Sequence, residues 1–294
     1  MPYTTLLAIS MAVALFSGIC SKYFIERYQQ SDYTIHFFNT VSAAISVIIL
    51  IIWNWSFRIS WFTFILGLAF GGITTIQRIF SMKAMKIGPW SYTAVIASLS
   101  TIIPTMSGAV IWNEHISFIQ IAGIVLMVVC ICLSSDLKKD SSKKSARWIL
   151  YCAIVFVMTG SIGVLQKFHQ STQYQGELNE FLIVALTTSC LCSLVCTVKT
   201  RTNMASKKST DRMLSPIPLG LMLVSGIGIA VNNRLNLFLS GVLDSSFMFP
   251  IVNGGGLMLT TLTATLLFKE RLSKKQWIGL ALGAIAVILL CNPF

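Results

Sequence analysis

The sequence predicts an all-α polytopic membrane protein in which ten transmembrane helices form two inverted five-helix repeats. Three observations lead to this fold class: an apolar composition, ten apolar stretches of helical length, and an internal repeat. Of the 294 residues, 55% are hydrophobic and 11% are charged, and the mean hydropathy is +0.76. Soluble domains carry about 25% charged residues. This composition excludes a soluble globular enzyme, a disordered protein and a fibrous protein. The net charge of +12 therefore needs an explanation other than nucleic-acid binding.

The predicted spans follow from the length of the apolar stretches. A helix needs about 20 mostly apolar residues to cross the hydrocarbon core of a bilayer. The first stretch lacks a basic start and a small-residue cleavage site, so it is expected to be a retained helix and not a signal peptide. The ten spans cover residues 3–24, 34–54, 61–82, 91–112, 117–134, 148–168, 180–198, 217–239, 246–268 and 276–292.

An internal repeat divides the chain into two halves of five spans each. Residues 78–127 align without a gap on residues 234–283. Matched pairs include Gln77 with Asn233, Arg78 with Arg234, Glu114 with Glu270 and, at a shorter shift, Lys22 with Lys167. Because five is odd, the second half must enter the membrane in the opposite direction, as in many proteins that work by alternating access. The predicted domains are a first repeat over 1–134, a basic connector over 135–147 and a second, inverted repeat over 148–294.

Three segments carry a family resemblance. Residues 112–123 read WNEHISFIQIAG, and residues 268–279 read FKERLSKKQWIG. They resemble the junctions of the fourth and fifth helices of each half in EamA-like transporters, and DSSFMFP at residues 244–250 resembles the segment before the ninth helix. The resemblance covers nearly the whole chain and implies a ten-helix member of the drug/metabolite transporter superfamily. It also implies a central cavity lined by helices one to four and six to nine, with the fifth and tenth helices peripheral.

The basic residues concentrate on one side of the predicted topology. When loops are assigned alternately, 18 of the 22 Lys and Arg residues fall on one face, which we call the basic face. Only Arg58 and Lys167 fall on the opposite face. Basic residues in short loops stay cytoplasmic. The sequence therefore predicts a multi-pass protein of the plasma (bacterial inner) membrane with cytoplasmic basic loops and both termini outside. The family resemblance implies instead that both termini lie inside.

Arg78 and Arg234 are the leading candidates for substrate binding, because an ionised side chain within a span is costly unless it has a partner or a role. The planar guanidinium grips a carboxylate or phosphate through two hydrogen bonds. Amide side chains add further donors and acceptors, and the predicted site includes Gln77, Asn232, Asn233, Asn236 and Asn253. Alternatively, each arginine snorkels or pairs with a carboxylate to close a gate, Arg78 with Glu270 and Arg234 with Glu114.

Charged residues at the span ends also have two interpretations. Glu114 and Glu270 are expected to cap the N-terminus of the helix that follows each of them. Lys22 and Lys167 either snorkel to the headgroups or line the mouths of a cavity and attract an anion. His36 has a structural interpretation and a less favoured one as a proton relay.

Glycine, proline and tryptophan residues predict local features of the helices: close packing, a kink and an interfacial belt. The glycines at 254–256, after Asn253, permit close packing, a kink or exposed carbonyls, as do Gly71 and Gly72. Pro104 is expected to kink the fourth span. The seven tryptophans lie near span ends and are expected to form an interfacial belt.

No nucleophile with a base, metal-ligand set or phosphate loop stands out, so the sequence predicts neither an enzyme nor a cofactor. We expect a secondary transporter that moves a small polar metabolite, such as an amino acid or organic anion, by alternating access. Every Asp and Glu lies at a span end or in a loop, so the charges within the spans favour anionic or zwitterionic substrates. The alternatives are a multidrug or toxic-compound exporter and a non-transporting membrane subunit.

The expected partners are the small-molecule substrate and the lipid bilayer, not nucleic acid. Gly279 and Gly283 in the tenth span form a small-xxx-small face. Such faces let two helices approach closely in a membrane. This pattern favours a homodimer through the tenth span.

Overall fold

The computed structural model describes residues 3–28, 31–54, 56–88, 90–114, 117–134, 142–201, 213–269 and 273–290. The regular elements within these residues are all helical. Eleven α-helices, α1 to α11, cover in order Tyr3–Tyr28, Asp32–Trp53, Trp61–Ile87, Trp90–Leu99, Ile102–Trp112, Phe118–Ser134, Ser142–Gln170, Leu178–Arg201, Pro216–Val242, Ser245–Leu266 and Lys274–Leu290. A short 3₁₀ helix at Gln175–Glu177 precedes α8.

The predicted all-helical membrane fold is confirmed for the described residues. Eight helical segments are long and apolar enough to cross a membrane. The predicted fifth and tenth spans correspond to α6 and α11, which have 17 residues each. This is the lower end of the length that a membrane-spanning helix needs, so the ten crossings stay a prediction.

The predicted fourth span consists of two helices, α4 and α5, that meet at Ser100 and Thr101. Pro104 has no N–H to donate to the Ser100 carbonyl four residues earlier. That carbonyl instead accepts a hydrogen bond from the Ile103 N–H at 3.0 Å, which tightens the chain at this point. The predicted break of the fourth span near Pro104 is confirmed.

Helix α7 already begins at Ser142, within the predicted basic connector over 135–147. Residues 142–147 read SKKSAR, and lysine, alanine and arginine are strong helix formers. The helix therefore extends beyond the apolar stretch that defined the sixth span. Residues 135–141 lie outside the described part of the chain.

Eight of the predicted spans pack side by side in a closed ring. The order around the ring is α1, α9, α2, α8, α3, α7, the pair α4 and α5, and α10, which returns to α1. Helices α6 and α11 pack against each other outside the ring, beside α4 and α10. The peripheral position that the resemblance implied for the fifth and tenth helices is observed.

Glycines set the spacing between ring helices at several contacts. A Cβ added at Gly71 of α3 would meet the Ala185 carbonyl oxygen of α8, and one at Gly226 of α9 would lie 2.7 Å from the Ser42 carbonyl oxygen of α2. Gly72 faces open space. Helix α10 runs uninterrupted through its three glycines, and an added Cβ at Gly255 would meet the Met11 sulfur of α1. These glycines therefore act as packing positions.

Two of the tryptophans predicted for the interfacial belt are buried against other helices. Trp61 is exposed, as a belt residue should be, but Trp90 and Trp148 are only 5% and 4% exposed. The Trp90 ring contacts Phe268 edge-on, with centroids 5.5 Å apart. Trp55 lies outside the described residues.

Candidate functional site

A buried ion pair lies at the end of the helical ring that is opposite the basic face. Lys167, near the end of α7, is 2.9 Å from Oε1 of Glu114, which follows α5, and their side chains are 13% and 8% exposed. Lys167 Nζ also donates to the Leu243 carbonyl at 3.1 Å. Glu114 Oε2 accepts from the Ser245 N–H at 2.9 Å, and Oε1 accepts from the Ser245 hydroxyl at 3.2 Å. We call this set of contacts the latch, because it ties α5, α7 and the turn between α9 and α10 together.

The latch corrects two predictions. Glu114 does not cap the following helix; it satisfies the first N–H of α10, far along the chain. Helix α6 is capped by its own residues, with Gln120 Oε1 accepting from the Ser117 N–H and Ser117 Oγ accepting from the Gln120 N–H, which is a capping box. Lys167 does not snorkel, because Glu114 holds it. Glu270 lies outside the described residues.

A cavity of about 670 Å³ lies beside the latch. Its lining includes Trp112, Glu114, Gln120, Asp244 and Phe247. Its volume falls within the range of small-molecule cavities, about 300–1,000 Å³. The cavity is therefore a vestibule at the opposite-face end of the ring, with the latch in its wall.

Lys22, the sequence counterpart of Lys167, is also buried. It lies 3.3 Å from Glu26 Oε1 and over the Phe268 ring at 5.9 Å. The Trp90 ring, which contacts Phe268, also abuts Gly18 of α1. Lysines at matching positions of the two halves thus lie within packed side chains near both ends of the ring, and neither is a freely snorkelling residue.

Two predicted asparagines lie together between α9 and α1. The Ser10 hydroxyl, which is fully buried, lies 2.8 and 2.6 Å from the Oδ1 atoms of Asn232 and Asn236 and can donate its single hydrogen to either of them. Asn233 instead donates to the Ile229 carbonyl of its own helix at 2.9 Å. The structure therefore separates Asn233 from Asn232 and Asn236.

The structure does not bring Arg234 and Arg78 together. Arg234 is exposed on α9, where its Nε donates to Asn179 Oδ1 at 3.0 Å and its guanidinium lies 5.4 Å from the centre of the Trp53 ring. Both partners lie at the opposite-face ends of α8 and α2. This environment is typical of an arginine anchored at the membrane interface, and Glu114 pairs with Lys167 instead.

Asn253 holds the break between α4 and α5. Its Nδ2 donates to Thr101 Oγ1 at 2.8 Å, and its carbonyl accepts from the Ser98 hydroxyl at 2.9 Å. The predicted site residue in α10 thus fixes the position at which the fourth span is interrupted.

Arg78 lies half-buried in α3 with Gln77 beside it. Among the described residues, the structure gives its guanidinium no hydrogen bond and no ion pair. Gly67 and Gly71, which share its helix face at spacings of eleven and seven residues, pack on α8. The shared helix face directs Arg78 toward α8, and no partner for its charge lies within the described residues.

Several other buried polar atoms of the ring helices also lack a hydrogen-bond partner within the described residues. They are Nδ1 of His36, both amide atoms of Asn39, and the hydroxyls of Thr74, Thr105, Thr159, Ser193 and Thr261. Native structures satisfy more than 90% of buried polar groups, and the exceptions require an explanation. Of these residues, only His36 stands out in the sequence, as an ionisable group near a span end. A lone amide such as Asn39 inside an apolar span was an available signal, but hydroxyls are common in transmembrane helices.

Comparison with known proteins supports the sequence resemblance. The EamA-like transporter family matches residues 2–136, which confirms the resemblance for the first half of the chain. A protein of Haemophilus influenzae whose function is uncharacterised is 24% identical over 230 residues, covering 76% of this chain and 74% of that protein. A protein of known crystal structure aligns over 97% of both chains with a TM-score of 0.67 and 13% identity. At this identity the similarity shows the fold alone.

Proposed function

We propose that this chain, whose residues 2–136 match the EamA-like transporter family, is a secondary transporter of the drug/metabolite transporter type that moves a small polar metabolite. The observation that carries the proposal is the set of buried, unpartnered polar atoms on the helices of the ring. A static membrane protein would gain stability by replacing them with apolar groups. A transporter needs them to replace the water that a polar solute loses on its way through the bilayer.

The order of the ring supports alternating access between two inverted repeats. The ring order is symmetric between the two halves. Exchanging α1 with α7, α2 with α8, α3 with α9, and the pair α4 and α5 with α10 gives the same order again. Substrate sites of inverted-repeat transporters lie at the interface of the repeats near the midplane. We assign the latch the role of closing the opposite-face mouth, because it joins helices of both halves beside the vestibule.

The distribution of basic residues predicts how the protein is oriented in the membrane. We expect an epitope tag at the C-terminus to bind antibody on intact cells, or on intact spheroplasts of a bacterial host. The physical reason is that 18 of 22 basic residues lie on the other face, and such residues stay cytoplasmic. A tag in the basic loop at 202–212 serves as the control and should require permeabilisation. The reverse pattern of labelling would show that the family's usual orientation applies.

Transport itself is tested with purified protein in liposomes. A thermal-shift screen of metabolites identifies ligands, and counterflow of a radiolabelled ligand measures flux. We expect Arg78→Ala to reduce uptake at sub-saturating substrate about tenfold or more, because one charge-assisted hydrogen bond contributes about 1.5–3 kcal/mol. Arg58→Ala, which removes an exposed arginine from a loop, is the matched control. Equal uptake by both variants would exclude Arg78 from the site, and absence of flux for every ligand would exclude transport.

A further inference from the structure

We propose that Arg78, Asn39 and Ser193 form one binding site for the carboxylate of a small amino or hydroxy acid. The inference rests on the proposed transport function and gives it a substrate class. The three side chains come from α3, α2 and α8, which are consecutive in the ring. Both halves of the chain contribute, since α8 belongs to the second.

Arg78 and Ser193 lie at the same level of two helices that run in the same direction. A Cβ added at Gly71 of α3 would meet Ala185 of α8. One turn later on both helices, the Thr75 hydroxyl donates to Ser189 Oγ at 2.9 Å. Continuing by one further turn on each helix reaches Arg78 on α3 and Ser193 on α8. Arg78 shares the face of Gly71, which packs on α8, so its side chain is directed toward that helix.

Asn39 reaches the same level from the other side of α8. Its neighbour Thr40 contacts two residues of that helix: the Thr40 carbonyl accepts from Cys190 Sγ at 3.6 Å, and the Thr40 hydroxyl lies 3.1 Å from Thr197 Oγ1. Ser193 lies between these two contacts along α8. Asn39 is 3% exposed and Ser193 is 1% exposed, so protein atoms cover both side chains and neither faces lipid.

Within the part of the chain that the structure describes, the polar groups of these three side chains have no other partner. Both amide atoms of Asn39 and the Ser193 hydroxyl lack partners within the described residues, and so does the Arg78 guanidinium. No Asp or Glu occurs between residues 33 and 53 of α2, 61 and 82 of α3, or 181 and 198 of α8. A cation with no fixed counter-ion on the surrounding helices is suited to the reversible binding of an anionic ligand.

The chemistry of the three groups selects a carboxylic acid with a second polar group. The guanidinium accommodates one carboxylate through two parallel hydrogen bonds, while the Asn39 NH₂ and the Ser193 hydroxyl can donate to its remaining lone pairs. The Asn39 carbonyl oxygen is an acceptor and matches an ammonium or hydroxyl donor on the same ligand. A phosphate monoester carries a charge of about −1.5 to −2. It would leave excess negative charge beside a single arginine in a region of low dielectric constant.

The test uses the purified full-length protein and its melting temperature in detergent. The probes are the common amino acids and lactate, the amides of the same acids, and inorganic phosphate. We expect at least one acid to raise the melting temperature, and its amide and phosphate to have no effect. A screen in which no acid acts, or in which amides or phosphate act equally well, would overturn the carboxylate assignment.

The variants Asn39→Leu and Ser193→Ala separate a binding role from a structural one. Each should leave the melting temperature of the ligand-free protein unchanged or raise it by a few degrees, because an unpartnered buried polar group is removed. Each should also weaken acid binding tenfold or more. Ser189→Ala, which removes a hydroxyl that already has a partner, should lower the ligand-free melting temperature and retain binding.

The outcomes distinguish this site from the transport function. If Asn39→Leu lowers the ligand-free melting temperature and leaves acid binding intact, Asn39 is structural and the site is wrong. If liposomes transport only compounds without a carboxylate, the transport function stands and this site falls. If acids bind with the expected variant effects but show no counterflow, the site stands and the transport function falls.

Discussion

Replacing Glu114 by glutamine is expected to lower the free energy of unfolding by about 3–5 kcal/mol, the cost of removing one partner from a buried ion pair. The substitution leaves Lys167 charged, with only the Leu243 carbonyl and a neutral amide to solvate it. It also weakens the hydrogen bond to the first N–H of α10. The measurement is the melting temperature in detergent, where we expect a fall of several degrees.

The control for this substitution is Asp32→Asn. Asp32 pairs with Lys83 at 3.0 Å, but its side chain is 57% exposed. Exposed ion pairs contribute about 0–1 kcal/mol, so its removal should have little effect. The double variant Glu114→Gln with Lys167→Met should be more stable than Glu114→Gln alone, because it removes the uncompensated charge. Strictly additive losses would show that the latch is not a coupled pair.

Replacing Gly71 by alanine is expected to destabilise the contact between α3 and α8. The added methyl would meet the Ala185 carbonyl oxygen and lie 2.7 Å from Thr188 Cβ. Since a backbone atom cannot rotate away, the two helices must move apart. Such overpacking costs about 1–3 kcal/mol, against a gain of about 1 kcal/mol in helix propensity. We expect a net fall in the melting temperature.

The adjacent residue supplies the matched control. Gly72 faces open space, so Gly72→Ala keeps only the gain in helix propensity and should preserve or raise the melting temperature. Because the site proposed on α2, α3 and α8 lies two turns further along this contact, Gly71→Ala should also reduce acid binding. If the two alanine variants melt at the same temperature, the close approach of α3 and α8 at Gly71 does not exist in solution.

The helical fold was predictable because the length and hydropathy of each apolar stretch are sufficient to predict a membrane-spanning helix. A run such as residues 34–54 has the length and hydropathy of a span, whatever it packs against. The break at Pro104 was predictable for the same reason, since the missing N–H is a property of proline. The extension of α7 to Ser142 does not follow from the apolar stretches, because helix propensity continues into polar sequence.

The candidate site was predictable only in part. The intramembrane charge of Arg78 identifies it in the sequence, but Arg234 has the same signature and lies exposed against Trp53 and Asn179. Its surroundings depend on helices distant in the chain. Asn39 and Ser193 were missed because single polar residues in a span are unremarkable until their partners, or the lack of partners, are known.

The sequence by itself determined the membrane class, the approximate spans and the concentration of basic residues on one face, because these depend on composition and spacing along the chain. The tertiary structure decided which charges meet. Glu114 pairs with Lys167 and caps α10, although its sequence position indicated a cap for α6 and a pairing with Arg234. The physical reason is that a buried charge is stabilised by atoms within a few ångströms. In a ring that interleaves the two halves, those atoms come from segments more than fifty residues away.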